Sequence, residues 1–154
     1  MIIGVSELLR RARIGDLPTI WLGELAYMRE IEPEHEARWV EATDRNLASW
    51  IAGLDRTMVL EIDGEPAGYE TWVPNGDAAV LTTIHVFDGY REAGRGTLLL
   101  RTFISDARTH GFTDLALGVH RDNPARRLYE KCGFVHTHDE GGYRYYALNR
   151  ESTP

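Results

Sequence analysis

The stretch Val86-Phe87-Asp88-Gly89-Tyr90-Arg91-Glu92-Ala93-Gly94-Arg95-Gly96-Thr97 decides how this chain is read. An apolar run closes at Phe87, and Leu99, Leu100, Phe103, Ile104 and Ala107 then recur at helical spacing, so the segment joins a strand to a helix. An RxxGxG loop at that junction offers free backbone N–H groups and the positive end of a helix dipole. Its glycines let an anion approach the backbone closely. The loop reads as a phosphate cradle. It matches neither common nucleotide fingerprint, since GxGxxG and GxxxxGK[ST] are both absent. A ligand-free strand-to-helix turn would use the same glycines, so a second signal is needed.

Upstream lies a meander, residues 57–62, 67–73 and 78–87, punctuated by Asp63-Gly64-Glu65 and Asn75-Gly76-Asp77. Asp-Gly and Asn-Gly between strand-like runs predict hairpins whose central positions take positive φ. Residues 8–13 predict a first strand. Gly15-Asp16 before Leu17-Pro18 predicts a helix start, followed by Ile20, Trp21, Leu25 and Met28 at helical spacing. A second helix over residues 34–51 would place Trp39, Val40, Thr43, Leu47, Trp50 and Ile51 on one stripe and end at Gly53. Downstream, residues 96–110 predict a helix closed by Gly111, and Leu115, Leu117 and Val119 alternate as a strand. Asn123-Pro124 caps a short helix, and residues 134–138 and 143–148 predict two last strands. The order βααβββαβαββ describes an α/β (α+β) chain with a mixed, mostly antiparallel central sheet of about seven strands and helices on both faces.

The 154 residues suit a single domain, residues 1–154, and 43% hydrophobic with 27% charged residues suffices for a packed core. The formal charge of -7 argues against a nucleic-acid binder that works by neutralising phosphates. The longest run free of Asp, Glu, Lys and Arg covers residues 78–87, half the length of a membrane span. The N-terminal segment carries its basic cluster after its apolar start, unlike a secretory signal. Cys132 is the only cysteine, which predicts a small buried thiol in a reducing, cytoplasmic setting. His136 and His138, read as sharing a strand face, are too few for a metal site, so no metal is expected.

The second signal is Asn123-Pro124-Ala125-Arg126-Arg127-Leu128-Tyr129-Glu130-Lys131-Cys132-Gly133-Phe134. With it the chain resembles the GNAT superfamily of acyl-CoA-dependent N-acyltransferases, which pair an RxxGxG pyrophosphate loop with a later Asn…ALY…GF element. The resemblance implies an acetyl-CoA-dependent N-acetyltransferase of the GNAT fold, acting on a primary amine of a small molecule or peptide. The donor would pair its pantetheine arm with the backbones of Ile84 and Val86. Arg91, Glu92, Ala93, Gly94, Arg95 and Gly96, with Thr97 in the first helical turn, would hold its pyrophosphate. Asn123 would bind the pantetheine region, and Tyr129 would protonate the departing thiolate as general acid. Family members usually place the Tyr seven residues after the Asn. Asn123 and Tyr129 are six apart, so either the helix starts differently or Asp122 takes the Asn's place. Many members carry a Glu shortly before the Ile-x-Val segment, where this chain has Thr82-Thr83. His85, His120 and Glu70 are then the candidate bases. That missing carboxylate keeps a non-catalytic acyl-CoA sensor as an alternative, beside an enzyme that uses a longer acyl donor. Homodimerisation is common in the family.

Overall fold

The computed structural model describes residues 5–149, so the first four residues of the N-terminal segment discussed above lie outside it. Its elements are β1 (Glu7–Arg11), α1 (Leu17–Ile31), α2 (Glu36–Glu41), α3 (Thr43–Ala52), β2 (Thr57–Ile62), β3 (Glu65–Asn75), β4 (Ala78–Val86), α4 (Arg95–Thr109), β5 (Asp114–His120), α5 (Arg126–Lys131), β6 (Val135–Glu140) and β7 (Tyr143–Leu148). One seven-stranded sheet runs β1-β2-β3-β4-β5-β7-β6, antiparallel except where β4 meets β5. The first hairpin forms as its Asp-Gly pair requires, with Asp63 at φ 51 and Gly64 at φ 83. At the second turn only Gly76 has positive φ, and Asn75 stays in β3, so the central pair is Gly76-Asp77.

The predicted second helix is broken. Residues 33–35 form a 3-10 turn, and the chain kinks at Ala42 between α2 and α3. The Thr43 hydroxyl donates to the Val40 carbonyl and Asn46 Nδ2 donates to the Trp39 carbonyl at 3.1 Å, so side chains compete with the helical ladder there. The kink shifts the stripe, leaving Val40 and Ile51 exposed at 46% and 47%.

Helices cover both faces of the sheet. On β3, Tyr69 packs with Ile20 of α1, while Trp72 joins Leu100 and Phe103 of α4, and a Cβ at Gly68 would meet Leu99 of α4. From Gly68 to Trp72 the odd-numbered residues face α1 and the even-numbered ones face α4. α5 lies beside α4, since a Cβ at Gly96 would come within 3.2 Å of Leu128. Across β4 the parity changes. Leu81 shares the α4-side core with Trp72, and so does Ile84, because Thr82 is an extra residue between the Trp72↔Leu81 and Thr71↔Thr83 pairs. A bulge of this kind bends and twists its strand. The ladder to β5 stops at that point, running only from Ala78↔Asp114 to Leu81↔Leu117. β5 instead stays paired with β7 as far as His120↔Tyr143. Beyond Leu81 the two central strands therefore part, and a cleft opens between them.

Candidate active site

The cleft has two connected chambers that share Tyr27, Ile84, His85 and Asn123. The outer chamber, about 490 Å³, reaches the loop before α4 through Arg91, Glu92 and Gly96. Gly94 caps α4 with φ 74, and a Cβ on it would meet nothing within 4 Å, so the approach to the first amides of the helix is open. Arg91 Nε donates to the Val86 carbonyl at 2.8 Å and Arg95 Nη1 to the Tyr90 carbonyl at 3.0 Å, which fix the loop against the end of β4. Residues 91–94 are exposed, while Arg95, Gly96 and Thr97 are half-buried in the first turn. The free edge of β4 beyond Leu81 and the N-terminus of a 15-residue helix meet here, a fit for an extended chain that ends in a pyrophosphate.

The inner chamber, about 270 Å³, lies deeper in the same cleft and is lined by Tyr129, Thr82, Thr83, Glu24 and Glu32 among others. Tyr129 is 4% exposed and packs on Phe134 and Tyr146; burial raises its phenol pKa. Asn123 Oδ1 accepts the Ala125 N–H at 3.0 Å, which turns the chain into α5 and leaves the amide NH₂ as a donor. Asp122 lines neither chamber and its side chain is 68% exposed.

The three candidate bases fare differently. His85 lines both chambers, edge-on to Phe87 and tilted against Tyr69, and burial, assisted by Arg91, pushes its pKa down to about 4. His120 is buried edge-on to Tyr143 and lines neither chamber, with Nδ1 accepting the Asp122 N–H at 3.1 Å. Glu70 is not brought to the cleft. It follows the even-numbered face of β3 towards α4, where burial and nearby Asp106 push its pKa well above the usual range. Among the described residues neither of its carboxyl oxygens has a hydrogen-bond partner. The histidines of β6 also part company. A bulge at Thr137 sets His136 opposite Tyr146 and stacks His138 on Tyr145, consecutive residues of β7 that face opposite ways. Cys132 is buried and free.

Sequence reasoning missed two acidic side chains. Glu24 Oε1 accepts the Tyr69 hydroxyl at 3.0 Å, and burial raises its pKa to about 7 against the opposing pull of the Thr83 and Tyr69 hydroxyls. The signal was present, because Glu24 lies midway in the column Ile20, Glu24, Met28 of α1, where an apolar residue is expected. Glu32, 3% exposed, closes α1. Burial works against its charge, yet donation from Tyr143, Tyr27 and His35 keeps its carboxyl below the usual range.

A glycine loop at a helix N-terminus beside a split pair of parallel strands is the architecture of an acyl-CoA transferase, and the chain belongs to the acetyltransferase (GNAT) family, whose profile matches residues 24–134. Among curated proteins it is similar to "Probable N-acetyltransferase camello" of Xenopus tropicalis, 29% identical over 119 residues. That match takes in 70% of this chain and 52% of the frog protein, so the chain spans about half its relative's length. Among solved structures, the PaiA N-acetyltransferase of Thermoplasma acidophilum in complex with coenzyme A shares the fold, with a TM-score of 0.80 and 18% identity over 94% of this chain and 99% of that one. So does yncA of Salmonella typhimurium with its cofactor acetyl-CoA, with a TM-score of 0.76 and 21% identity over 94% of each chain. Among the described residues no helix is long and apolar enough to cross a membrane.

Proposed function

We propose that this chain transfers the acetyl group of acetyl-CoA to a primary amine of a small molecule or peptide, by direct attack within a ternary complex. The observation that carries this reading is the division of labour within one cleft. The outer chamber brings Arg91 and the open N-terminus of α4 beside Glu30 and Glu92, and the helix amides there suit an anionic donor, whereas the inner chamber presents Glu24 and Glu32 and no Lys or Arg among its lining residues. An ammonium is the acceptor that such a chamber favours. The free edge of β4 at Ile84 and Val86 receives the pantetheine amides, the amides of residues 91–97 hold the pyrophosphate, and the Asn123 NH₂ donates along the arm. Tyr129 enters from the α4 side of the sheet and donates to the sulfur as the C–S bond breaks. The free, buried Cys132 suits a reducing cytoplasm.

Calorimetry tests the donor. Acetyl-CoA is expected to bind at micromolar affinity, about -8 kcal/mol. Gly96→Glu removes binding, since its Cβ comes within 3.2 Å of Leu128 and its carboxylate enters the cradle. A wild type that binds no acetyl-CoA overturns the reading. Thiol release with a panel of primary amines separates an enzyme from a sensor, because binding without release with any amine favours the sensor.

A further inference from the structure

Glu24 has a setting that its packing does not require. It occupies the column of α1 that faces the sheet, between Ile20 and Met28, in a position where an aliphatic residue would bury area without a charge to desolvate. Its carboxylate instead lines the inner chamber with Thr82 and Thr83 of β4, and accepts the Tyr69 hydroxyl at 3.0 Å. We propose that Glu24 is the general base of the acetyl transfer, supplying from α1 the carboxylate that β4 lacks at Thr82-Thr83. The assignment rests on the acetyl-transfer reading and adds the proton acceptor that it leaves unnamed.

Position supports it first. Glu24 and Tyr129 line the same chamber but arrive from α1 and α5, on opposite faces of the sheet, so base and acid flank whatever lies between β4 and β5. Elimination supports it next. The titratable groups facing Glu24 are Tyr69 of β3, His85 of β4, Tyr27 and Glu32 at the far end of α1, Tyr143 of β7 and Tyr129 of α5. The tyrosines hold their protons more firmly than usual, Glu32 is saturated by three donors, and His85 is too weak a base once its pKa falls to about 4. Glu24, raised to about 7, is the group poised at the working pH.

In the step itself, the bound ammonium first gives up one proton to solvent; the lone pair of the neutral amine then forms the C–N bond at the thioester carbon while Glu24 takes the second proton from that nitrogen. The C–S bond breaks, and its electron pair leaves on sulfur, which receives the phenol proton of Tyr129. Glu24 then releases its proton to solvent and Tyr129 regains one, so charge and protons balance.

Two measurements test the assignment. In a carboxylate-resolved carbon NMR titration of the full chain, the glutamate signal that vanishes in Glu24→Gln is expected to titrate near pH 7. In thiol-release assays with acetyl-CoA and the most active amine of the panel, Glu24→Gln is expected to lose about 10²-fold or more in turnover. Acetyl-CoA affinity should stay within about threefold, and Glu24→Asp should recover part of the rate. A Glu24 signal that does not titrate near 7, or full turnover in a Glu24→Gln variant that still binds acetyl-CoA, overturns the role of Glu24. Failure of the wild type to bind acetyl-CoA overturns the transfer reading instead.

Discussion

At the scale of the residue, Tyr129 shows how burial sets a role. Desolvation penalises the phenolate, so the phenol keeps its proton at every working pH and donates when a stronger anion forms beside it. In the proposed transfer the departing thiolate is that anion. Tyr129→Phe keeps the ring packed on Phe134 and Tyr146 and removes only the donor. Turnover is expected to fall about 10²-fold with little change in acetyl-CoA affinity, as read by steady-state kinetics beside calorimetry. Because its pKa is raised, Tyr129 should impose no loss of kcat on the alkaline side below about pH 10, and unchanged turnover in the variant would remove it from the reaction. Residue roles divide sharply in their legibility. The turn at Gly94 and Gly96 and the short helix that carries Tyr129 were readable because each is a local pattern that its neighbours announce. The place of Glu24 was not legible because an apolar column does not announce an acid within it, and that of Glu70 was not because strand alternation separates two faces without saying which one meets the cleft.

Between elements, the contact of β3 with α4 carries an unusual cost. Glu70 lies there with no partner among the described residues for either oxygen, near Asp106, which burial opposes as an anion but which Arg11 and the Trp72 indole hold ionised. Towards pH 4 the Glu70 carboxyl is neutral in the folded chain and largely neutral in the unfolded one, so its ionisation contributes little to stability. As pH rises the unfolded chain ionises first, and the folded state loses stability until its own, higher pKa is passed. Glu70→Leu removes that loss. Denaturant titrations should show the variant gaining on the wild type between pH 4 and pH 8, by about 1–3 kcal/mol at the upper end. A pH-independent difference would show that Glu70 is ionised in place. The meander was legible at this scale because Asp63-Gly64 dictates its own turn. Three features were not: the kink at Ala42 and the bulges at Thr82 and Thr137. A kink made by the Thr43 hydroxyl, or one extra residue in a strand, leaves hydrophobic composition unchanged while altering phase. The bulge at Thr82 matters most, since it stands where β4 and β5 part.

For the whole molecule, the cleft lies on a seam. Residues 5–86 supply β1–β4 and α1–α3, the later residues supply α4, α5 and β5–β7, and in the sheet the two parts are joined by the four-pair ladder between β4 and β5. Charge divides along nearly the same line. Residues 1–77 hold 15 acids and 7 bases, 7 - 15 = -8, while residues 78–154 hold 9 acids and 10 bases, 10 - 9 = +1. Two of the first part's acids, Glu24 and Glu32, line the inner chamber, which in the proposed function receives the amine. A donor held at once by the β4 edge, the α4 amides and Asn123 of the β5–α5 loop would bridge the seam and be lost on unfolding of either part. Its binding should therefore appear as a single cooperative rise in melting temperature. At 100-fold excess over its dissociation constant, acetyl-CoA is expected to add about 2.7 kcal/mol, or about 5–10 °C for a chain of this length. Calorimetric scans should show one transition moving as a whole, and no movement in Gly96→Glu. Two transitions, of which only one shifts, would show that the donor is held by one side of the seam alone.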